Sequence, residues 1–167
     1  MIMKLKAVLV ALVAMYLTLI VFNNLTDYDS NFQFVKHVLA MDTVFPQNQG
    51  MWRSIGNPFI HHLFYWVIII WESASAAICW LGAVKCWNSA KQGPSLFNSS
   101  KNLAVAGLIL SLSLWFLAFI TIGGEWFLMW QSKSWNAQDS AFRMFTIMGI
   151  ILIILILPDH SNERSSQ

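Results

Sequence analysis

Apolar residues dominate long runs of this chain at 5–24, 59–84, 103–122 and 138–157, and polar residues gather between the runs. Each run can cross about 30 Å of hydrocarbon, for which about 20 helical residues suffice. Lipid offers the backbone no hydrogen-bond partners, so segments of this length are expected to be helices. The predicted fold is an all-α integral membrane four-helix bundle, a single membrane domain over 1–167. Segments 25–58 and 123–137 would lie on one side of the membrane, and loop 85–102 and the tail 158–167 on the other.

The first run opens MIMKLKAVLVALVAMYLTLIVFNN, lysines followed by an apolar core. That core is long for a secretory signal, and NNLTDYD follows without a small-residue cleavage site, so it is read as a retained span. Asn57-Pro58 starts the second span. Between the two, Ser30-Asn31-Phe32-Gln33 has the form of a capping box opening a short helix, FQFVKHVLAM. Much of that helix is apolar, so it is expected to lie along the membrane interface or to cap the bundle.

Small and weakly polar residues recur at heptad spacing within each run. The lines read Ala7, Ala11, Ala14, Thr18 in the first; His61, Tyr65, Ile68, Glu72, Ser75, Cys79, Gly82, Cys86 in the second; Ala104, Gly107, Ser111, Leu114, Ala118, Thr121, Glu125 in the third; and Thr146, Gly149, Ile153 in the fourth. Small residues let membrane helices approach closely, and such lines predict the faces that meet in a compact bundle.

Composition supports a membrane class. Charged residues are 11% of the chain, against roughly 25% in soluble domains, and 57% is hydrophobic. The net charge of +2 gives no reason to expect a nucleic-acid partner. Cys79 and Cys86 lie in one apolar run, seven positions or about 10 Å apart along a helix, and read as packing residues, not a disulfide. Lys4 and Lys6, the acid-free loop with Lys85, Lys91 and Lys101, and Arg164 in the tail predict that both termini are cytoplasmic. The opposite side mixes Lys36, Arg53, Lys133 and Arg143 with Asp27, Asp29, Asp42, Glu125 and Asp139.

Two places could carry function. Glu72 lies near the middle of its span, where a carboxylate costs at least about 2.5–3.5 kcal/mol on insertion scales. It is therefore expected to face the bundle interior in its neutral form. Ser75 lies on the same line, and Ser111 and Thr146, at similar depth, are the expected hydrogen-bond partners. The group either fixes helix register or handles a proton or cation, with Ser75, Ser111 and Thr146 lining the route.

The second place is GGEWFLMWQSKSWNAQDSAFR, residues 123–143. Trp126, Trp130 and Trp135 suit the headgroup layer, and the first two share a face if the third helix continues past Gly124. Asn136-Ala137-Gln138-Asp139 resembles an N-cap with an acid in the first turn. Asp139 and Arg143 are spaced to pair, and Glu125 is within reach of Arg143. The cluster is either an aromatic belt with an ion-paired turn or a binding surface shared with Asp27, Asp29, Asp42 and Arg53.

His37, Asp42, His61 and His62 are metal candidates without diagnostic spacing, and a haem between histidines is a further reading. No catalytic or nucleotide motif is present in the sequence, so no enzyme activity and no cofactor are expected.

Together, the 123–143 pattern and FQFVKHVLAMDTVFP resemble the bacterial "predicted small integral membrane protein" family, a four-span domain of unknown function. The resemblance runs from Lys4 to about Leu157, and its most specific part is Gly-Gly-Glu-Trp…Trp-Asn…Gln-Asp…Phe-Arg. It implies a multi-pass protein of a Gram-negative inner membrane and brings no activity, substrate or catalytic residue with it. The functions weighed are an accessory or organising subunit meeting lipid and protein partners or a second copy, a small proton- or cation-linked transporter, and a redox or quinone-associated subunit.

Overall fold

The computed structural model describes residues 1–160; residues 161–167, Arg164 among them, lie outside the described residues. The described residues form an all-α fold without strands, and its long apolar helices make the chain a multi-pass membrane protein. Helix α1 covers Ile2–Thr26, α2 Tyr28–Ala40, α3 Pro58–Ser89, α4 Pro94–Ser100, α5 Asn102–Ser113 and α6 Gln138–Ile156. Helix α5 runs on without a break as a π-helical extension, Leu114–Trp126. Short 3₁₀ turns at Met51–Arg53 and Met129–Gln131 punctuate the connections.

The spans pack in a ring, α1 against α3, α3 against α5, and α5 with its extension against α6, with a lighter α6–α1 contact closing it. The start of α1 and the end of α6 meet at one face of the bundle, the terminal end. There Lys6 and Lys101 converge on Asp159, and Ser89 of α3 meets Ser100 of α4 at 2.6 Å. At the opposite, distal end, α2 turns sharply from α1 at Asp27 and docks on α3. Phe32, Val35, Val38 and Leu39 are buried with Tyr65, Ile69, Phe127 and Met129 in a second apolar cluster. Of the two placements expected for this helix, the structure has the cap.

Its start differs from the expected capping box. Helix α2 begins at Tyr28, Ser30 donates its Oγ to Asp27 Oδ1 at 2.8 Å, and Gln33 donates to Asp29 Oδ1 at 3.2 Å. An acid upstream therefore takes the hydroxyl that the box would have turned on the backbone. Asn57-Pro58 behaves as expected: the Asn57 side chain accepts from the Phe59 N–H at 2.9 Å, and Pro58 is the first helical residue, where its missing N–H costs nothing.

The small-residue line of α3 is buried along its length, apart from half-buried Ile68. It meets α5 at backbone distance. A Cβ on Gly82 would lie 2.5 Å from the Ala104 backbone, and one on Gly107 would lie 2.8 Å from the Cys79 nitrogen. Cys79 and Cys86 are free, buried thiols in this seam.

Three lines shift. In α1 the buried residues are Lys6, Ala7, Val10, Val13, Ala14, Leu17 and Asn24, whereas Thr18 is exposed. The line of the third span holds through Ala104, Gly107, Ser111 and Leu114 and then fails. Ala118 is half-buried, Thr121 and Glu125 are exposed, and Gly123 and Gly124 are buried instead. The cause is the π-helical extension: its i→i+5 bonds widen the turn and carry a 3.5-residue line off the buried face. In α6 the inward residues are Ala141, Met148 and Leu155; Gly149 has open space where a Cβ would go, and Ile153 faces outward.

Candidate functional site

Glu72 is buried, as an acid in this position should be, but the expected partners do not hold it. Asn24 Nδ2 donates to Glu72 Oε2 at 2.7 Å. Ser111 donates to the Met148 sulfur at 2.8 Å, Ser75 donates back to the Trp71 carbonyl, and Thr146 is half-buried on α6. The reason is direction. Side chains lean toward the N-terminus of their own helix. Glu72 therefore leans toward the distal end, where α3 begins, and Asn24 on the antiparallel α1 leans down to meet it. Asn24 sits just before the end of α1 at Thr26, so the carboxyl head is drawn toward the polar end of the bundle.

A cavity of about 420 Å³ leads from that end to the pair. Its rim is polar and exposed: Ser30 and Asn31 from α2, Ser134 and Asn136 from the connecting turn, and Ser140 from α6. Buried Asn24, Tyr65 and Glu72 line its depth, with Phe34, Trp115, Phe119 and Trp135 along the walls. Tyr65 fixes the floor by donating its hydroxyl to the Asn24 carbonyl at 3.3 Å. The Trp115 Nε1–H is buried and has no partner among the described residues. The Glu72 carboxyl and the Asn24 amide thus lie at the depth of one aromatic-walled chamber open to the distal side, an arrangement suited to a small polar or cationic guest.

The other predicted cluster is dispersed. The helix ends at Trp126; Leu128 takes a left-handed φ of 55°, so Trp126 and Trp130 do not continue one helical face. Arg143 donates to Ser140 at 3.2 Å in place of the expected pairs with Asp139 and Glu125. Asp139, Glu125 and Arg143 are all exposed. The N-cap of α6 is Ala137, without a side-chain bond, and Asn136 just before it accepts from the Gln138 N–H at 3.0 Å. Trp126 instead joins Trp52 around Arg53, whose guanidinium sits 5.4 and 5.1 Å from the two rings and donates to the Trp126 carbonyl at 3.1 Å. Trp130 meets Phe45 edge-on, and Trp135 stacks on His37 at 4.6 Å.

The histidines go separate ways. His37 contacts Asp42 at 2.6 Å, the His61 ring bonds the Ile55 carbonyl, and His62 meets the Tyr28 hydroxyl while stacking on Phe32. Among the described residues no group of these side chains is arranged to hold a metal ion.

Sequence reasoning passed over Asn24, although it falls on the heptad continuation of Ala7, Ala14 and Leu17. It also passed over the terminal-end clamp. Lys6 and Lys101 reach Asp159 Oδ2 at 2.8 and 2.7 Å, and both also donate to the Leu157 carbonyl left open at the end of α6. Asn98 binds the Asp159 backbone on both sides, at 2.8 and 3.1 Å. Burial alone would push the Asp159 carboxyl up; the hydrogen bonds and charges of Lys101 and Lys6 outweigh it and hold it below the ordinary carboxylate value.

No curated protein and no solved structure matches the chain at a significant level. The family model described as "Predicted small integral membrane protein (DUF2165)" matches residues 2–158, nearly all of the bundle just described. The chain belongs to that family of multi-pass integral membrane proteins.

Proposed function

We propose that this is a non-enzymatic cation-binding membrane protein, in which Glu72 takes a small cation entering from the distal end in exchange for a proton. The observation that carries this reading is the polar-rimmed cavity reaching the buried Glu72–Asn24 pair. A register-fixing carboxyl needs no such access, and the open chamber favours ion or solute handling over a purely structural role. On the distribution of lysines, the distal end faces away from the cytoplasm of a bacterial inner membrane, so the guest would arrive from outside.

The test is a titration of the purified protein in lipid nanodiscs with tetramethylammonium, followed by tryptophan fluorescence, since Trp115 and Trp135 line the chamber. Saturable quenching that weakens as pH falls and vanishes in a folded Glu72→Gln variant is the expected result. Quenching indifferent to that substitution would sink the proposal.

A second reading, an accessory or organising subunit, draws on α6. It is the least buried span and presents Ile147, Ile150, Ile153, Ile154 and Ile156 outward. Lipid can cover that face, and so can another subunit or a second copy. Gentle purification from native membranes distinguishes them: a stoichiometric companion lost on Ile150→Arg would favour the subunit reading.

A further inference from the structure

Beside the polar chamber lies a second one of about 140 Å³, lined almost wholly by hydrocarbon. The two share the wall formed by Phe34, Val35, Ile68 and Phe119. Leu114, Ala118, Ile122 and Gly123 of the π-helical extension line the apolar side, facing Val38 and Leu39 of α2 and Val67 and Trp71 of α3. Residues of that extension line both chambers, Trp115 and Phe119 the polar one and Leu114 and Ala118 the apolar one, and π-helical segments are frequent at functional sites. One chamber offers a carboxyl and aromatic faces, the other almost only apolar surface, and Phe34, Val35, Ile68 and Phe119 border both.

We propose that the paired chambers form a single site for an amphipathic organic cation: an ammonium head beside Glu72 and a hydrocarbon portion in the apolar chamber. This rests on the cation-binding reading above and specifies its guest. Two features carry it independently. Aromatic walls around a carboxyl favour an organic ammonium over a hydrated metal ion, because ring faces attract the cation without replacing a hydration shell. An apolar chamber beside the head-group site suits a guest with an apolar portion.

The experiment compares choline with hexanoylcholine on purified full-length protein in phosphatidylglycerol nanodiscs, with hexanoate and empty discs as controls. Hexanoylcholine is expected to bind at least about tenfold more tightly than choline, since two buried methylenes suffice for that ratio. Ala118→Trp and, from the exposed side, Val67→Trp fill the apolar chamber; each should bring hexanoylcholine down to the choline affinity and leave choline unchanged. Glu72→Gln should abolish both. Equal affinity of the two probes, with Glu72-dependent choline binding intact, overturns this inference and spares the cation reading. Choline binding that ignores Glu72→Gln overturns both. In discs containing phosphatidylethanolamine, weakened hexanoylcholine binding would identify a lipid amine as the natural occupant and unchanged binding a free amine; each supports the class.

Discussion

Asn24 donates its side-chain amide to Glu72 at 2.7 Å across the α1–α3 interface, joining residues 48 positions apart in the chain. The bond ties the bend between α1 and α2 to Glu72, the buried acid of α3. Removing the amide as Asn24→Leu leaves a buried carboxyl without its donor, at a cost of about 1–3 kcal/mol. Glu72→Gln keeps an acceptor oxygen for Asn24 and should cost less. Thermal unfolding in detergent, read by a thiol-reactive dye on buried Cys79 and Cys86, would rank the two variants. The opposite order would mean that the amide is incidental to the fold.

The close approach of α3 and α5 makes a sharper contrast. Gly82→Ala would place a methyl 2.5 Å from the Ala104 backbone, which cannot move aside as a side-chain tip can. The helices must separate, at about 1–3 kcal/mol. Gly149→Ala, with nothing within 4 Å, should be neutral or stabilising by up to about 1 kcal/mol through helix propensity. Equal melting temperatures for the two variants would contradict the seam.

Asp159 should make the bundle sensitive to acid. Its carboxyl is held below the ordinary value, so its contribution is complete above that ordinary value and is lost as pH falls through the depressed one. Asp159→Asn leaves Lys6 and Lys101 buried without a counter-charge, for which about 3–5 kcal/mol is expected near neutral pH. The variant's stability should also lose this acid-side slope. A wild-type and a variant curve that stay parallel down to strongly acidic pH would show that the clamp is not responsible.

The lysine distribution makes a prediction about orientation. A cysteine at Lys133 should react with a membrane-impermeant maleimide in intact cells, and one at Lys91 should react only after lysis. Reversed labelling would invert the bundle and put the mouth of the cavity on the cytoplasmic side.

The spans were legible because lipid imposes a long apolar run on any helix that crosses it, and the α3 line was legible because close packing demands small residues at 79, 82 and 86. The π-helical extension left no mark in LWFLAFITIGGEW that separates it from an ordinary helix, so the line predicted through Ala118, Thr121 and Glu125 ran off the buried face. The site was half legible. An acid in an apolar run announces itself, but its partner depends on where two antiparallel helices meet in depth, and counting along α3 alone pointed to Ser111 and Thr146. The distal cluster failed for a related reason: Asp139 and Arg143 have helix-pair spacing, yet both are exposed, where an isolated pair contributes only tenths of a kcal/mol and Ser140 competes for the guanidinium.

The clamp at the terminal end gives two lysines successive states. Asp159 lies beyond the last span and is made after both, so Lys6 and Lys101 are at first cations without this counter-charge. Once α6 is in place, the two lysines at the ends of the first and third spans are closed over by the fourth, and their charges become a lock on the finished bundle. A chain that failed to insert its last span would keep those lysines exposed, so completion of the fold is marked by their disappearance from the surface.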